Sequence, residues 1–264
     1  MFLAIDVGNT EIVYGVMDEN SIMFSSRLAT DRRRTSDEYA VLFRDMLHIH
    51  GISTEDIEGG IISSVVPPLK ARLRDAVYSI TGKQCMVVGP GLKNGLRIRL
   101  DDPAELGADQ VCAAVAASAE YDKPIAIFDM GTATTVSVID HNGDYLGGMI
   151  IPGVELGLDA LCQRSSLLPQ IDLDMPPAHL IGANTEECMK SGVIFGNASM
   201  IDGLIDRISD ELGEEPTVVM TGDVSCVFEK ACRHKLVVEP QLMLKGLRII
   251  YLKNRKKGKG SRQK

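Results

Sequence analysis

Apolar and polar positions along the chain fall into two kinds of run. Short apolar stretches bounded by turn residues predict strands at residues 2–5, 12–17, 21–28, 57–66, 85–88, 125–128, 136–139 and 217–220. Residues 94–100 read as extended, and residues 170–185 as an ordered loop. Elsewhere the apolar spacing is helical. Tyr39, Leu42, Phe43, Met46 and Leu47 form one stripe, opened by Thr35-Ser36-Asp37-Glu38 as a hydroxyl cap with acidic first-turn residues and closed by Gly51. Further helices are expected from Pro67-Pro68 to about residue 80, over 111–120, over 156–168 (stopped by Pro169), from Glu186 to about 212, and over 241–252. Strands alternating with helices predict an α/β protein whose sheets are covered by helices.

One pattern occurs twice. A first apolar strand runs into Asp6-Val7-Gly8-Asn9-Thr10, then a strand, the turn Asp18-Glu19-Asn20 and another strand. A second runs into Asp129-Met130-Gly131-Thr132-Ala133-Thr134-Thr135, then a strand and the turn Asp140-His141-Asn142-Gly143-Asp144, where Asn-Gly is expected to supply positive φ angles. Asp6 and Asp129 stand 123 residues apart, about half the chain. Two copies at that spacing predict a duplicated architecture with the two loops facing a shared cleft. The glycines Gly147, Gly148 and Gly153 beside the second copy suggest backbone in close approach to a ligand or another chain.

Composition narrows the class. The chain has 264 residues, 45% hydrophobic and 24% charged, the balance of a globular protein with a real core. It contains no apolar run of membrane-spanning length, and the start is a first strand and not a signal peptide. Six scattered cysteines without a CxxC pair read as reduced thiols of a cytoplasmic protein. The net charge of −8 conceals a basic end: seven of the 28 Lys and Arg lie in 253–264, which reads as a solvated, disordered tail. Without it, 21 basic face 36 acidic side chains, a net of −15 that repels nucleic acid. The absence of tryptophan and only 5% aromatics argue the same way.

The chemistry follows from the loops. A glycine beside backbone N–H groups and threonine hydroxyls lets phosphate approach the main chain, and the carboxylate can hold a neutralising cation. Asp6 and Thr10 offer this in the first loop, and Asp129, Thr132, Thr134 and Thr135 in the second. Thr221-Gly222 could contact a base or ribose. The GxxxxGK[ST] and GxGxxG patterns are absent. Asp109, near a helix N-terminus, reads either as an acid favoured by the helix dipole or as a carboxylate placed to accept a proton. Phosphoryl transfer needs in-line phosphates, a cation and a carboxylate near the attacking hydroxyl, and Asp6, Asp109 and Asp129 could supply those roles.

Asp6 to Thr10, Gly107-Ala108-Asp109, Asp129 to Thr135, Gly147-Gly148 with Pro152-Gly153, and Gly182 with Asn184-Thr185 together resemble type III pantothenate kinase, in order and spacing, over about residues 1–254. The resemblance implies the actin-like fold of the sugar-kinase and Hsp70 superfamily: two ribonuclease-H-like halves, mixed sheets flanked by helices, with ATP in a central cleft. The halves are expected at 1–114 and 115–252, followed by the tail 253–264. It implies ATP-dependent phosphorylation of pantothenate to 4'-phosphopantothenate, the first step towards coenzyme A, with Mg²⁺ for ATP and a monovalent cation, potassium or ammonium. By the same resemblance Asp6, Val7, Gly8, Asn9, Thr10, Glu11, Ile12 and Val13 are the ATP loop, Asp6 also a candidate Mg²⁺ ligand, and Thr132 a further ATP contact. Asp109 is the general base, Gly107, Ala108, Asp109 and Gln110 with Leu100 bind substrate, and Asp129 binds the monovalent cation. Thr185 is similar to a residue that reaches pantothenate from the neighbouring subunit, implying a homodimer with a shared active site.

Three positions depart from that family pattern. Gln110 stands where arginine is usual, Leu100 where tyrosine is common, and Asp223 where the late loop has a second glycine. Glutamine forfeits the bidentate pairing that arginine makes with a carboxylate. The alternative reading is a kinase-like paralogue with an altered acceptor, or one acting as a nucleotide-binding regulator or accessory protein.

Overall fold

The computed structural model describes residues 1–173 and 177–255, so most of the basic tail lies outside the described residues. The chain divides into two compact units. The first comprises Met1–Gly95, Ala104–Ala116 and the chain from Met243, and the second Leu96–Pro103 and Ala117–Leu242.

In the first unit β1 (Phe2–Val7), β2 (Glu11–Met17) and β3 (Ile22–Ala29) form an antiparallel meander. On its other side β1 pairs in parallel with β4 (Gly60–Ser64), and β4 with β5 (Cys85–Val87), giving the order β3-β2-β1-β4-β5. Alternation along β1 sends Leu3, Ile5 and Val7 to one face. There they pack with Tyr39, Phe43 and Leu47 of α1 (Ser36–Ile49) and Leu69 and Leu73 of α2 (Pro67–Thr81). Each such fully buried aliphatic side chain contributes roughly 1.5–3 kcal/mol. Helix α1 starts where its capping box predicts: Thr35 Oγ1 accepts the Glu38 N–H, and Glu38 returns a carboxylate to the Thr35 N–H at 2.7 Å. The opposite face is covered by α3 (Ala108–Glu120) and α7 (Leu242–Asn254), Phe2 stacking on Tyr251 with ring centroids 4.0 Å apart.

The second unit repeats this arrangement. Strands β7 (Ile125–Met130), β8 (Ala133–Ile139) and β9 (Asp144–Pro152) form the meander, β7 pairs in parallel with β10 (Thr217–Thr221), and β10 with β11 (Val237–Val238). An extra short strand, β6 (Arg97–Ile98), joins the edge at β9. The repeat extends to detail. β1 and β7 share one burial pattern, as do β2 and β8. The register shifts at the same place, Val16/Met17 in one copy and Val138/Ile139 in the other. Both hairpin turns begin on an aspartate whose carboxylate accepts local backbone N–H groups, Asp18 from Asn20 at 2.7 Å and Asp140 from Asn142 at 2.9 Å. Helices α4 (Val154–Arg164), α5 (Thr185–Leu212) and short α6 (Ser225–Phe228) complete the unit. Phe128, Ile201, Ile205 and Met220 lie at its core.

Several expectations shift. In the turn at 140–144 only Gly143 has positive φ (84°); Asn142 does not, because Asp140 supplies the local hydrogen bonds. Helix α4 ends at Arg164 and not at residue 168: Ser165 is already extended at ψ 126°, four residues before Pro169. The extended segment around 94–100 narrows to β6, and α3 begins at Ala108, three residues earlier than its apolar run. No described helix is long and apolar enough to cross a membrane.

Candidate active site

Because Leu3, Ile5 and Val7 face α1 and α2, Asp6 faces α3 and α7. Its register neighbour on β4 is Ser63, which shares that face. Asp109 in the first turn of α3 and Cys112 one turn later complete a compact group. The Asp6 pKa is raised to about 7, chiefly by burial, with the Ser63 hydroxyl pulling it down and the nearby Asp109 charge adding to the rise. The Asp109 pKa is also raised, chiefly by burial, although its carboxylate accepts the Gln110 N–H at 2.8 Å. The Ser63 hydroxyl is buried and close enough to favour charge on Asp6. It reaches no hydrogen-bonding geometry with any partner among the described residues.

Gly107 makes room for this group. A Cβ there would lie 2.3 Å from Asp109 Oδ1 and 3.3 Å from Gln110 Oε1. Gln110 therefore sits beside the carboxylate, at the N-terminal end of α3.

The first loop turns from β1 into β2 through a Gly8 N–H to Glu11 carbonyl bond of 2.9 Å. Val7 and Ile12 are buried in the core and paired within the sheet, Val7 accepting the Val65 N–H at 3.1 Å. Asn9 and Thr10 are exposed, Val13 is half-buried, and Glu11 pairs with Arg27 at 2.8 Å. Thr30, at the end of β3, fastens the loop: its N–H reaches the Thr10 carbonyl and its hydroxyl the Gly8 carbonyl, both at 2.8 Å.

In the second unit Asp129 has register neighbours with hydroxyls on both sides, Thr135 on β8 and Thr221 on β10. Thr132 is exposed. Thr134 is buried and directed at Met130 Sδ (3.8 Å), which removes it from the ligand-facing hydroxyls expected of this loop. Three nearby glycines approach the chain's own backbone. A Cβ on Gly153 would lie 2.3 Å from the Gly131 carbonyl oxygen, one on Gly148 1.6 Å from that of Val136, and one on Gly222 2.6 Å from the Met130 backbone. Gly222 also has φ 95°, open to glycine and strained for other residues. Asp223 beside it is exposed. Leu100 packs on Gly147, 3.5 Å from where a Cβ would stand. Thr185 opens α5, capped by Asn184, and lines an apolar cavity of about 710 Å³ between α4 and α5 with Leu158, Leu161 and Met189.

The structure thus gathers Asp6 and Asp109 in one unit, and Asp129 with its threonines in the other. Ser63 is the residue that sequence reasoning passed over, being hidden inside an apolar run; its register with Asp6 is the signal. Among the described residues no three or more His, Cys, Asp or Glu gather as a ready-made metal cluster.

A family model described as type III pantothenate kinase matches residues 2–207. The chain belongs to that family. It is 43% identical over 255 residues to a type III pantothenate kinase of Exiguobacterium sibiricum, covering 97% of this chain and 100% of that one. A type III pantothenate kinase of Moorella thermoacetica is 41% identical over 256 residues, with 96% and 100% covered. Among solved structures, a putative Baf family transcriptional activator from Campylobacter jejuni superposes with TM-score 0.60 at 18% identity, covering 96% of this chain and 98% of that one. The activator of 2-hydroxyisocaproyl-CoA dehydratase from Clostridium difficile, solved with bound ADPNP, gives 0.55 at 15%, covering 95% and 92%. At such identities the structural likenesses carry the fold alone. It is the actin-like α/β architecture that the resemblance to type III pantothenate kinase implied.

Proposed function

We propose that the chain transfers the γ-phosphoryl group of ATP to the hydroxyl of pantothenate, forming 4'-phosphopantothenate and ADP. The observation that carries this reading, beside family membership, is the pairing of Asp109 with Asp6 on one face of the first sheet. A general base serves best with a pKa drawn towards the working pH, and burial moves Asp109 in that direction. In the reaction Asp109 takes the hydroxyl proton, the oxygen forms a bond to the γ-phosphorus, and the bond to the β–γ bridging oxygen breaks. Asn9 and Thr10 of the first loop hold the phosphates, while the Gly8 N–H is engaged by the Glu11 carbonyl and keeps the turn in shape. Thr132 contacts the nucleotide.

The oxygen donors fit the expected cations. Mg²⁺ is commonly held by one or two carboxylates plus substrate phosphates and water, and Asp6, whose burial leaves its charge poorly compensated, suits such a site. When bound, it neutralises charge developing on the phosphates. Asp129, flanked by Thr135 and Thr221, is the candidate ligand of the potassium or ammonium ion. Gly107, Ala108 and Gln110 and, by its place in the family pattern, Leu100 are the acceptor-binding residues of this reading.

The assembly we favour is a cytoplasmic homodimer in which Thr185 completes the partner's pantothenate site. Supporting it are the apolar cavity beside Thr185 and the exposed Leu156, Leu161, Leu180 and Ile181; six unpaired cysteines suit a reducing compartment. The test is turnover of the purified protein with ATP, Mg²⁺, K⁺ and pantothenate. Phosphopantothenate should form only when all four are present, and its absence at saturating pantothenate overturns the reading.

A further inference from the structure

The connector between β3 and α1 looks, as sequence, like a solvated charged link: Asp31-Arg32-Arg33-Arg34. Its hydrogen bonds say otherwise. Thr30 ties the chain to the carbonyls of Gly8 and Thr10. Two residues on, Arg72 of α2 donates from Nη1 to the Arg32 carbonyl at 2.6 Å and to the Arg34 carbonyl at 2.9 Å, fixing the backbone on both sides of Arg33. From this anchored backbone the Arg32 side chain reaches the first loop, with Nη2 3.1 Å from Asn9 Oδ1.

The three arginines of the connector divide their tasks. Arg33 and Arg34 are engaged by Asp31, at 3.4 and 4.0 Å. Arg32 turns away from that carboxylate to a neutral amide, and among the described residues it has no ion pair. Its charge therefore stays uncompensated beside a loop already read as binding phosphate. A guanidinium carries five N–H donors in a rigid fork that matches phosphate oxygens, and one hydrogen bond to Asn9 leaves most of that fork available. Exposure of the side chain leaves the approach open.

We propose that Arg32 is a phosphate-binding residue of the first loop, its guanidinium closing on the polyphosphate of the bound nucleotide. The inference rests on the kinase reading above and adds to it a residue that the loop motif does not contain. The connector then serves as a second wall of the phosphate site, held in place by Thr30 and Arg72.

The test is calorimetric titration of the full chain with Mg-ATP, Mg-ADP and adenosine. Arg32→Gln should weaken ATP binding about tenfold, the size of one exposed charge-assisted contact, and ADP binding less, with adenosine unchanged. Arg32→Lys, which keeps the charge but not the fork, should recover part of the loss. Arg33→Gln should match wild type for all three ligands. Wild-type ATP affinity in Arg32→Gln overturns the proposal, as does an equal loss for adenosine and ATP, which would mean only that the loop had been distorted through Asn9. Failure of the wild-type chain to bind ATP at all overturns the kinase reading, and this inference with it, and is distinguishable from either result.

Discussion

Asp6 and Asp129 occupy equivalent positions in two copies of one strand–loop–strand unit, yet their neighbours differ. On the antiparallel side Asp6 faces Val13, where Asp129 faces Thr135; on the parallel side both face a hydroxyl, Ser63 and Thr221. The decisive addition is Asp109, which the first unit brings to Asp6 from α3. A pair of buried carboxylates is suited to proton and Mg²⁺ chemistry, whereas a carboxylate with threonines in register on both sides is suited to a weakly held monovalent ion. The fastening differs too. The first loop is tied by the Thr30 side chain, and the second is wedged by backbone, with Gly153 and Gly222 against residues 130–132. Duplication supplied the backbone; the residues that pack on each copy assign its chemistry.

The widest separation between the copies should appear in turnover. If Asp109 is the proposed base, Asp109→Asn should lower kcat by about a hundredfold or more, and added K⁺ should restore nothing. Asp129→Asn should instead raise the K⁺ concentration needed for half-maximal rate, with a smaller loss at saturating K⁺. Steady-state rates across a K⁺ series distinguish the two. If both variants fall equally at every K⁺ concentration, the division of roles between the loops is wrong.

Stability should separate the two modes of fastening. At Gly222 an added methyl would meet the Met130 backbone at 2.6 Å in a left-handed conformation. Gly222→Ala should therefore cost about 1–3 kcal/mol or more by overpacking and backbone strain. Thr30→Val removes only the hydroxyl bond to Gly8 and should cost about 1 kcal/mol. Urea denaturation measures both, and a larger loss at Thr30 would reverse the ranking.

These features differ in how far the sequence reveals them. The meanders and loops are legible because strand alternation, DxGxT and the aspartate-led turns are all local signals, repeated at a spacing of 123 residues. The start of α1 is legible for the same reason, its capping box spanning only Thr35 to Glu38. The roles of Gly153 and Gly222 are not, since glycine density marks close approach without saying what approaches. Ser63 is concealed because its meaning comes from a parallel register 57 residues from Asp6. Arg32 reads as a connector residue until Arg72, 40 residues away, is seen to anchor it. Strand β11 and helix α6 escape prediction because two and four residues carry no usable period.

The smallest effect probes the Asp6 side of the comparison by pH. In the ligand-free protein the Asp6 pKa is raised from 3.8 to about 7, so between those values the unfolded chain has lost a proton that the native state keeps. Stability should accordingly be greatest at the acidic end of this window, fall as pH rises towards 7, and level off above it. Asp109, also raised, adds a contribution of the same sign. Asp6→Asn should remove the Asp6 part of the slope. Ser63→Ala is the finer test. Its hydroxyl is buried without a hydrogen-bond partner among the described residues, so its loss should leave stability near pH 5 almost unchanged. Yet it favours the charged form of Asp6, so without it the native pKa should climb further and the decline should continue beyond pH 7. The corresponding change in the second copy, Thr221→Ala, should leave this part of the profile where it was, because Thr221 stands in register with Asp129 in the second sheet. Denaturation midpoints across the pH range decide the matter. Superimposable wild-type and Ser63→Ala profiles would mean that the shared hydroxyl is an inheritance of the duplication with no hold on the Asp6 charge.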